Sequence, residues 1–251
     1  MAPTPGIWSE PIWPSGWAVT HVEETGSTNA DLLAALEAGT AADRDVLVAD
    51  YQRSGRGRLD RRWEAPVGAN LLVSIVSSPV PEVPAEVTQR VGLAAVAAVA
   101  RLLPNANTGL KWPNDILLDG RKLGGILAQR SFDANAVVIG LGLNVGWAPE
   151  GAASLGEAKH PAEVLALLLE EFDALPDDIS GLYRERLLTL GKSVRVELPG
   201  DNEDAVTGVA EGVDNRGRLL VSDEQGVTHK FDVGDIVHLR AGGPPTGNGD
   251  R

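Results

Sequence analysis

The chain has 251 residues, no cysteine, and 35 Asp and Glu against 22 Lys and Arg, a formal charge of −13. At 43% hydrophobic residues and a mean hydropathy of −0.05 it can bury a core, enough for one large domain or a large one plus a small one. The acidity argues against general nucleic-acid or anionic-membrane binding, and the lack of cysteine excludes disulfides and thiolate chemistry.

The first residues, MAPTPGIWSEPIWPSGWAV, carry no basic segment and no apolar run, so they do not read as a signal peptide. No window reaches the ~18 apolar residues needed to span a bilayer, and a cytoplasmic protein is expected. After this Pro- and Trp-rich lead-in, TGSTNADLLAALEAG reads as a helix, with Thr28 three residues before Asp31 in a capping-box-like start and Gly39 as its stop. Residues 44–51 form a short buried strand that delivers the chain into YQRSGRGRLDRRW, where Arg53, Arg56, Arg58, Arg61 and Arg62 crowd into residues 51–63. A strand over 69–78, a long apolar helix over 85–103, a hairpin within 109–130 turning at Asp119-Gly120, and a strand over 136–145 follow. Two helices are expected near 161–175 and 178–190. Past Gly191 the texture changes to five short β-branched runs separated by turns, which suggests a small barrel over 191–240 and a boundary near Leu190. The last residues, 241–251, read as a disordered tail.

Two segments carry the chemistry. Glycines at 55 and 57 let backbone N–H groups approach a ligand, the guanidinium groups of Arg56 and Arg58 match carboxylate or phosphate oxygens, and Trp63 offers a flat apolar face. The segment reads either as a solvated basic loop or as an anion site. In KWPNDILLDGRKLGGIL, Lys111 ends an apolar strand and points into a cleft, or else meets solvent at a sheet edge. Gly124 and Gly125 inside a strand mark close approach by a ligand, or a β-bulge. GLGLN at 140–144 repeats the pattern and ends on Asn144, whose amide suits the edge of an adenine.

Taken together, STN (27–29), YQRSGRGR…RRW, KWPNDI, KLGGIL and GLGLNV resemble, in order and spacing, the biotin–protein ligases. The resemblance covers about residues 20–145, and the small C-terminal barrel is similar too. It implies an α/β (α+β) catalytic domain over 19–190 with a mixed sheet of the class II synthetase-like biotin/lipoate ligase type, then an SH3-like β-barrel. It also implies that Ser27, Thr28, Asn29, Gln52, Arg56, Gly57, Arg58, Lys111, Gly124 and Gly125 hold biotin. Arg56, Arg58, Arg61, Trp63, Lys111, Asn114 and Asn144 would hold ATP or the adenylate, with Lys111 and Arg58 catalytic. Asn114 is the one residue offered for the phosphate–magnesium region, and no metal ligand is otherwise assigned. ATP and biotin are the implied substrates, with Mg2+, and the implied partner is the biotin carboxyl carrier domain of acyl-CoA carboxylases. Asp60 departs from the family loop GRGRxGRxW by replacing its last glycine, where it could pair with Arg58 or Arg62. About 18 residues precede the catalytic domain expected over 19–190, fewer than the roughly sixty of a helix-turn-helix module, so DNA binding by that route is not expected.

Competing readings are a lipoate or octanoate ligase or transferase of the same fold, whose Gly-Gly-Gly loop is missing here, and a non-catalytic biotin sensor favoured by Asp60. GKS at 191–193 mimics a phosphate-binding lysine, but Arg186 stands where the leading glycine is required. GLGLNV lacks the third glycine of a dinucleotide fingerprint. His21, His160, His229 and His238 have no metal-ligand spacing and read as surface or structural residues.

Overall fold

The computed structural model describes residues 8, 13–198, 205–232 and 234–239, leaving aside the side chains of Asp60 and Asp235. The 241–251 tail and most of the 1–18 lead-in lie outside the described residues, as does any partner of the Asp60 carboxylate.

Seven strands form one mixed sheet: β1 (Ala18–Thr25), β2 (Asp45–Gln52), β3 (Leu71–Ser77), β4 (Thr108–Lys111), β5 (Asp115–Leu118), β6 (Arg121–Ser131) and β7 (Ala136–Leu143), in the order β1-β2-β3-β7-β6-β5-β4. β1 and β2 pair in parallel because α1 (Thr28–Glu37) supplies the crossover such a pair needs. The remaining neighbours are antiparallel. Asp119 and Gly120 both take positive φ, 50° and 77°, as a two-residue hairpin turn requires. The stretch 109–130, expected as one hairpin, is a three-stranded meander, since the turn after Lys111 returns the chain as β5.

α1 begins one residue earlier than the capping-box pattern suggests. Ser27 holds the N-cap position with extended backbone (φ −162°, ψ 126°) and makes no side-chain cap. Asp31 accepts from the Thr25 hydroxyl and brings negative charge to the first helical turn.

The period-2 alternation of the strands sorts side chains onto two faces. One face, including Val46, Val73, Ile75, Ile139, Leu141 and Ile126, packs under α2 (Ala85–Leu102), which α3 (Pro161–Asp173) covers in turn. The other face is helix-covered at one end, where Leu32 and Leu36 of α1 meet Leu47, Val76 and Val138. Full burial of each such aliphatic side chain contributes roughly 1.5–3 kcal/mol, so α1 is anchored at that end. Over β6 and β7 this second face carries glycines, and the loop after β2 lies across it.

α4 (Ser180–Arg186) is shorter than the 178–190 helix expected. Leu187 turns extended (φ −84°, ψ 97°), bridges Leu110 in parallel, and Leu188 N donates to the Leu110 carbonyl at 2.8 Å. The open edge of β4 offers backbone groups to the passing chain, and those bonds replace another helical turn.

Beyond it, β8 (Ser193–Glu197), β9 (Val206–Val213), β10 (Leu219–Ser222), β11 (Thr228–Phe231) and β12 (Asp235–His238) form an antiparallel sheet in the order β11-β10-β9-β8-β12. Five strands were expected here, but among the described residues β11 and β12 remain edges and no barrel closes. Val194, Val196, Ala210, Leu219 and Val221 share one continuous core with the main sheet. Trp112 joins the two: its backbone N donates to Thr189 Oγ1 and its Nε1 to the Gly217 carbonyl, both at 3.1 Å.

Candidate active site

The site grows from the glycines of β6 and β7. Gly125 pairs with Gly142, and Gly140 with Leu127 and Ser74, so all project toward the face that α1 leaves uncovered. A Cβ at Gly142 would fall inside the Trp63 ring, and one at Gly140 would collide with the Asn29 carboxamide. A Cβ at Gly125 would come within 3.4 Å of Trp63 Cζ3. The missing side chains leave a shallow floor on which a flat ring can lie.

One wall comes from the start of α1. Asn29 Nδ2 donates to the Leu127 carbonyl (3.1 Å) and to Gln129 Oε1 (2.8 Å), which fixes its amide orientation. Ser74 Oγ donates to Asn29 Oδ1 at 2.5 Å and lies 2.6 Å from Thr28 Oγ1. A hydroxyl has one proton, so Thr28 must be the donor to Ser74. Gln52 Oε1 then accepts from Thr28 N at 2.8 Å. Thr28, Asn29 and Ser74 are buried, and the network fixes the direction of each polar group before any ligand arrives. Ser27 is half-buried at the helix start.

The other wall is the arginine loop, which closes on itself. Arg56 bridges Arg62, Gly57 N donates to the Arg61 carbonyl (2.6 Å), and Trp63 N to the Gly55 carbonyl (3.0 Å). Leu59 sits left-handed (φ 54°, ψ 40°) and half exposed at the tip. The five arginines are not equivalent. Arg53 pairs with Glu24 (2.7 Å) and Arg62 with Glu64 (3.3 Å) on the surface. Arg58 turns inward, where its Nη1 donates to Asn114 Oδ1 at 3.1 Å. Arg56 and Arg61 are exposed. Trp63 lies over the glycine floor, and its buried Nε1–H makes no hydrogen bond among the described residues. Such a donor is costly to leave unmet and suits a ligand acceptor.

Lys111 and Asp115 are directly paired across β4 and β5, on the face that carries Gly125. Lys122, which the sequence reading passed over, stands there too. Its Nζ is 2.7 Å from Asp115 Oδ1 and 5.9 Å from the Trp63 ring centre, and a Cβ on Gly125 would touch it at 3.6 Å. In a regular strand Lys122 and Gly125, three apart, face opposite ways. A bulge at Leu123, where the register shifts between Ile116 and Leu117, brings them to one side. The signal was the β-bulge already considered for this glycine pair, without its consequence for the lysine.

Three further residues of the expected site take the following places. Gly124 points away from the floor, and a Cβ there would lie 2.8 Å from both the Gly142 carbonyl oxygen and Leu143 Cδ1. Asn144 is buried and holds neighbouring loops, its Oδ1 accepting from Asn70 Nδ2 (3.2 Å) and its Nδ2 donating to the Ala153 carbonyl (3.0 Å). Asn114 binds Arg58 through Oδ1 and the Ile126 carbonyl through Nδ2 (2.8 Å), which makes it a support for Arg58.

The histidines take structural positions: His21 beside Asp50 (3.0 Å), His160 capping α3, His229 on Asp223 (2.7 Å) and His238 near Thr189 (3.4 Å). Among the described residues no group of three or more His, Cys, Asp or Glu is placed to hold a metal. Burial raises the Tyr183 phenol well above its ordinary value, so it stays neutral; it lines a small cavity together with Lys111 and Asp115. A cleft of about 540 Å3 between residues 82–85 and 215–218 contains none of the motif residues.

Comparison with known proteins agrees with this geometry. Residues 22–144 match the model of the biotin/lipoate A/B protein ligase family, and 189–239 that of the biotin protein ligase C-terminal domain. The chain is 42% identical to the biotin--[acetyl-CoA-carboxylase] ligase of Mycobacterium tuberculosis, over 90% of this chain and 91% of that protein. It is 31% identical to the bifunctional ligase/repressor BirA of Escherichia coli, over 88% of this chain and 74% of that one. Among solved structures, the biotin protein ligase of Aquifex aeolicus in complex with biotin and ATP aligns with a TM-score of 0.74 at 26% identity, covering 89% of this chain and 99% of that one. A floor of glycines, a preset polar wall and an arginine loop, carried by a sequence this similar, make the chain a member of the biotin protein ligases within the biotin/lipoate A/B protein ligase family.

Proposed function

We propose that the protein is an ATP-dependent biotin–protein ligase. The biotin carboxylate attacks the α-phosphorus of ATP, pyrophosphate leaves, and biotinyl-5′-AMP forms. The ε-amine of a lysine on a biotin carboxyl carrier domain then attacks the mixed anhydride, giving an amide and AMP. The observation that carries this is the convergence, on one glycine floor, of a neutral polar wall for a ring and of cations from three segments.

The ureido ring belongs against Thr28, Asn29 and Gln52, with Ser27 at the rim. The first step brings two anions together, so positioned positive charge is its main requirement. Lys122 is held beside the floor by Asp115, and with Lys111 it neutralises the carboxylate and α-phosphate oxygens. Arg56, Arg58 and Arg61 serve the phosphate side, and Trp63 shields the anhydride from water until the carrier arrives. Magnesium is usually held by one or two carboxylates together with substrate phosphates. Asp115 is a carboxylate on the site face, so it and the nucleotide fit such an ion, which adds charge neutralisation. Asn114 is already engaged on both sides of its amide.

In this reading residues 19–190 are the catalytic unit and 191–240 a C-terminal unit of the SH3-like type, supported by its five strands. The acceptors are carrier domains of acyl-CoA carboxylases in the cytoplasm. No helix among the described residues is long and apolar enough to cross a membrane. The test is incubation with biotin, MgATP and an apo carrier domain. A streptavidin-reactive carrier and biotin-dependent pyrophosphate exchange are expected. A carrier that stays unmodified with biotin yet accepts lipoate or octanoate would overturn the substrate, and ligand binding without exchange would leave only a sensor.

A further inference from the structure

Arg58 reaches beyond its own loop to the second sheet. Its Nη1 donates to the Gly234 carbonyl at 3.3 Å as well as to Asn114 Oδ1 at 3.1 Å. Both acceptors are fixed independently of the loop. Asn114 is tied to β6 twice, by Nδ2 to the Ile126 carbonyl (2.8 Å) and by Ile126 N to its own carbonyl (2.9 Å). Gly234 leads into β12 with φ of 151°, where a Cβ would lie 2.9 Å from Val196 Cγ1 and 3.3 Å from the Glu197 carbonyl oxygen. Only glycine fits that backbone without strain. The next residue, Asp235, pairs with Glu197 on β8, so the ladder of the second sheet aims the Gly234 carbonyl.

We propose that Gly234 is a positioning residue whose carbonyl, together with Asn114, latches Arg58 and so sets the arginine loop over the reacting centre. The second sheet then governs how long the adenylate is retained between the two steps. Arg58 lies one residue from the left-handed Leu59, at the turn where the loop reverses, so restraining its guanidinium restrains the reversal. This inference rests on the two-step reading above.

The test measures escape of biotinyl-adenylate from the full-length protein for wild type, Gly234→Ala, Arg58→Ala and the double variant, with thermal unfolding alongside. Hydrogen bonds to charged groups are among the stronger ones, so displacing this acceptor is expected to speed escape by about tenfold. In the Arg58→Ala background the Gly234 substitution is expected to add nothing, because the group it acts through is gone. Escape at the wild-type rate in a folded Gly234→Ala protein, or full additivity in the double variant, would overturn the latch. Should Gly234→Ala fail to fold, hydrogen exchange decides: Arg58→Ala must raise exchange at residues 234–239 as well as in 55–63, and an unchanged 234–239 would overturn it. That arm needs no substrate, and absent pyrophosphate exchange in wild type would instead strike the reaction assignment, so the two failures are distinguishable.

Discussion

Ser74→Ala tests the polar wall without opening a cavity, since it removes one hydroxyl from a fully buried position. In the wild type this hydroxyl donates to Asn29 Oδ1 at 2.5 Å and accepts from Thr28 Oγ1 at 2.6 Å. Thr28 has an alternative acceptor, Gln52 Oε1 at 3.2 Å, so its proton is not stranded. Asn29 Oδ1 loses its donor, and its amide cannot flip, because Nδ2 is held by the Leu127 carbonyl and Gln129 Oε1. One buried acceptor is therefore left unmet, a cost of about 1–3 kcal/mol. For a chain of this size each kcal/mol lowers Tm by roughly 2–4 °C, so a drop of about 4–8 °C is expected for the middle of that range. Thermal unfolding by circular dichroism reads it, and a raised KM for biotin should accompany it. The double variant Ser74→Ala/Asn29→Ala should cost less than the sum of the two single ones, because the unmet acceptor disappears with Asn29. A single variant within about 0.5 kcal/mol of wild type, or strict additivity, would show that the wall is not the coupled network its geometry implies.

Other outcomes follow from the same geometry. Lys122→Ala should cut pyrophosphate exchange at least about 100-fold in line with lost charge stabilisation, while Tm barely moves because partly exposed ion pairs contribute about 0–1 kcal/mol. Lys111→Ala should lose most adenylation with little loss of fold, and unchanged pyrophosphate release in either variant removes that lysine from its role. Gly142→Ala sets a Cβ within the Trp63 ring, so Trp63 must shift; a changed near-ultraviolet dichroism and weaker biotin binding are expected, and an unaltered spectrum refutes the stacking. Asp223 is held below the ordinary aspartate value of 3.8, first by His229 and then by the backbone N–H of Val227. A depressed folded value stabilises above the unfolded value and is lost as pH falls through the folded one. Asp223→Asn should therefore flatten the acid limb of a stability profile below about pH 4 and leave a parent and variant that converge at lower pH; parallel profiles would refute it.

Much of the catalytic sheet was legible in the chain because strands and helices announce themselves by period. The β3 strand, α2 and the Asp119-Gly120 turn lie close to where alternation, 3.6-residue spacing and turn chemistry put them. The motifs also identified which segments meet, since STN, the arginine loop and KLGGIL border one face. Local rules misjudged positions whose surroundings come from elsewhere. Nothing near residue 187 in sequence says that the β4 edge will take up the chain in place of a helix.

The amino-acid order by itself determined the chemistry on offer: a cysteine-free composition, a basic loop in an acidic body, glycines in two strands, and the family these resemble. Only the tertiary structure decided which glycine of 124 and 125 faces the floor, that Lys122 stands with Lys111, and which distant partners hold the amides of Asn144 and Asn114. It also decided that Arg58 answers to a second sheet some 176 positions away along the chain. The physical reason is phase and partnership: one bulge reverses the face of every residue beyond it, and a polar group's role depends on which distant atom satisfies it.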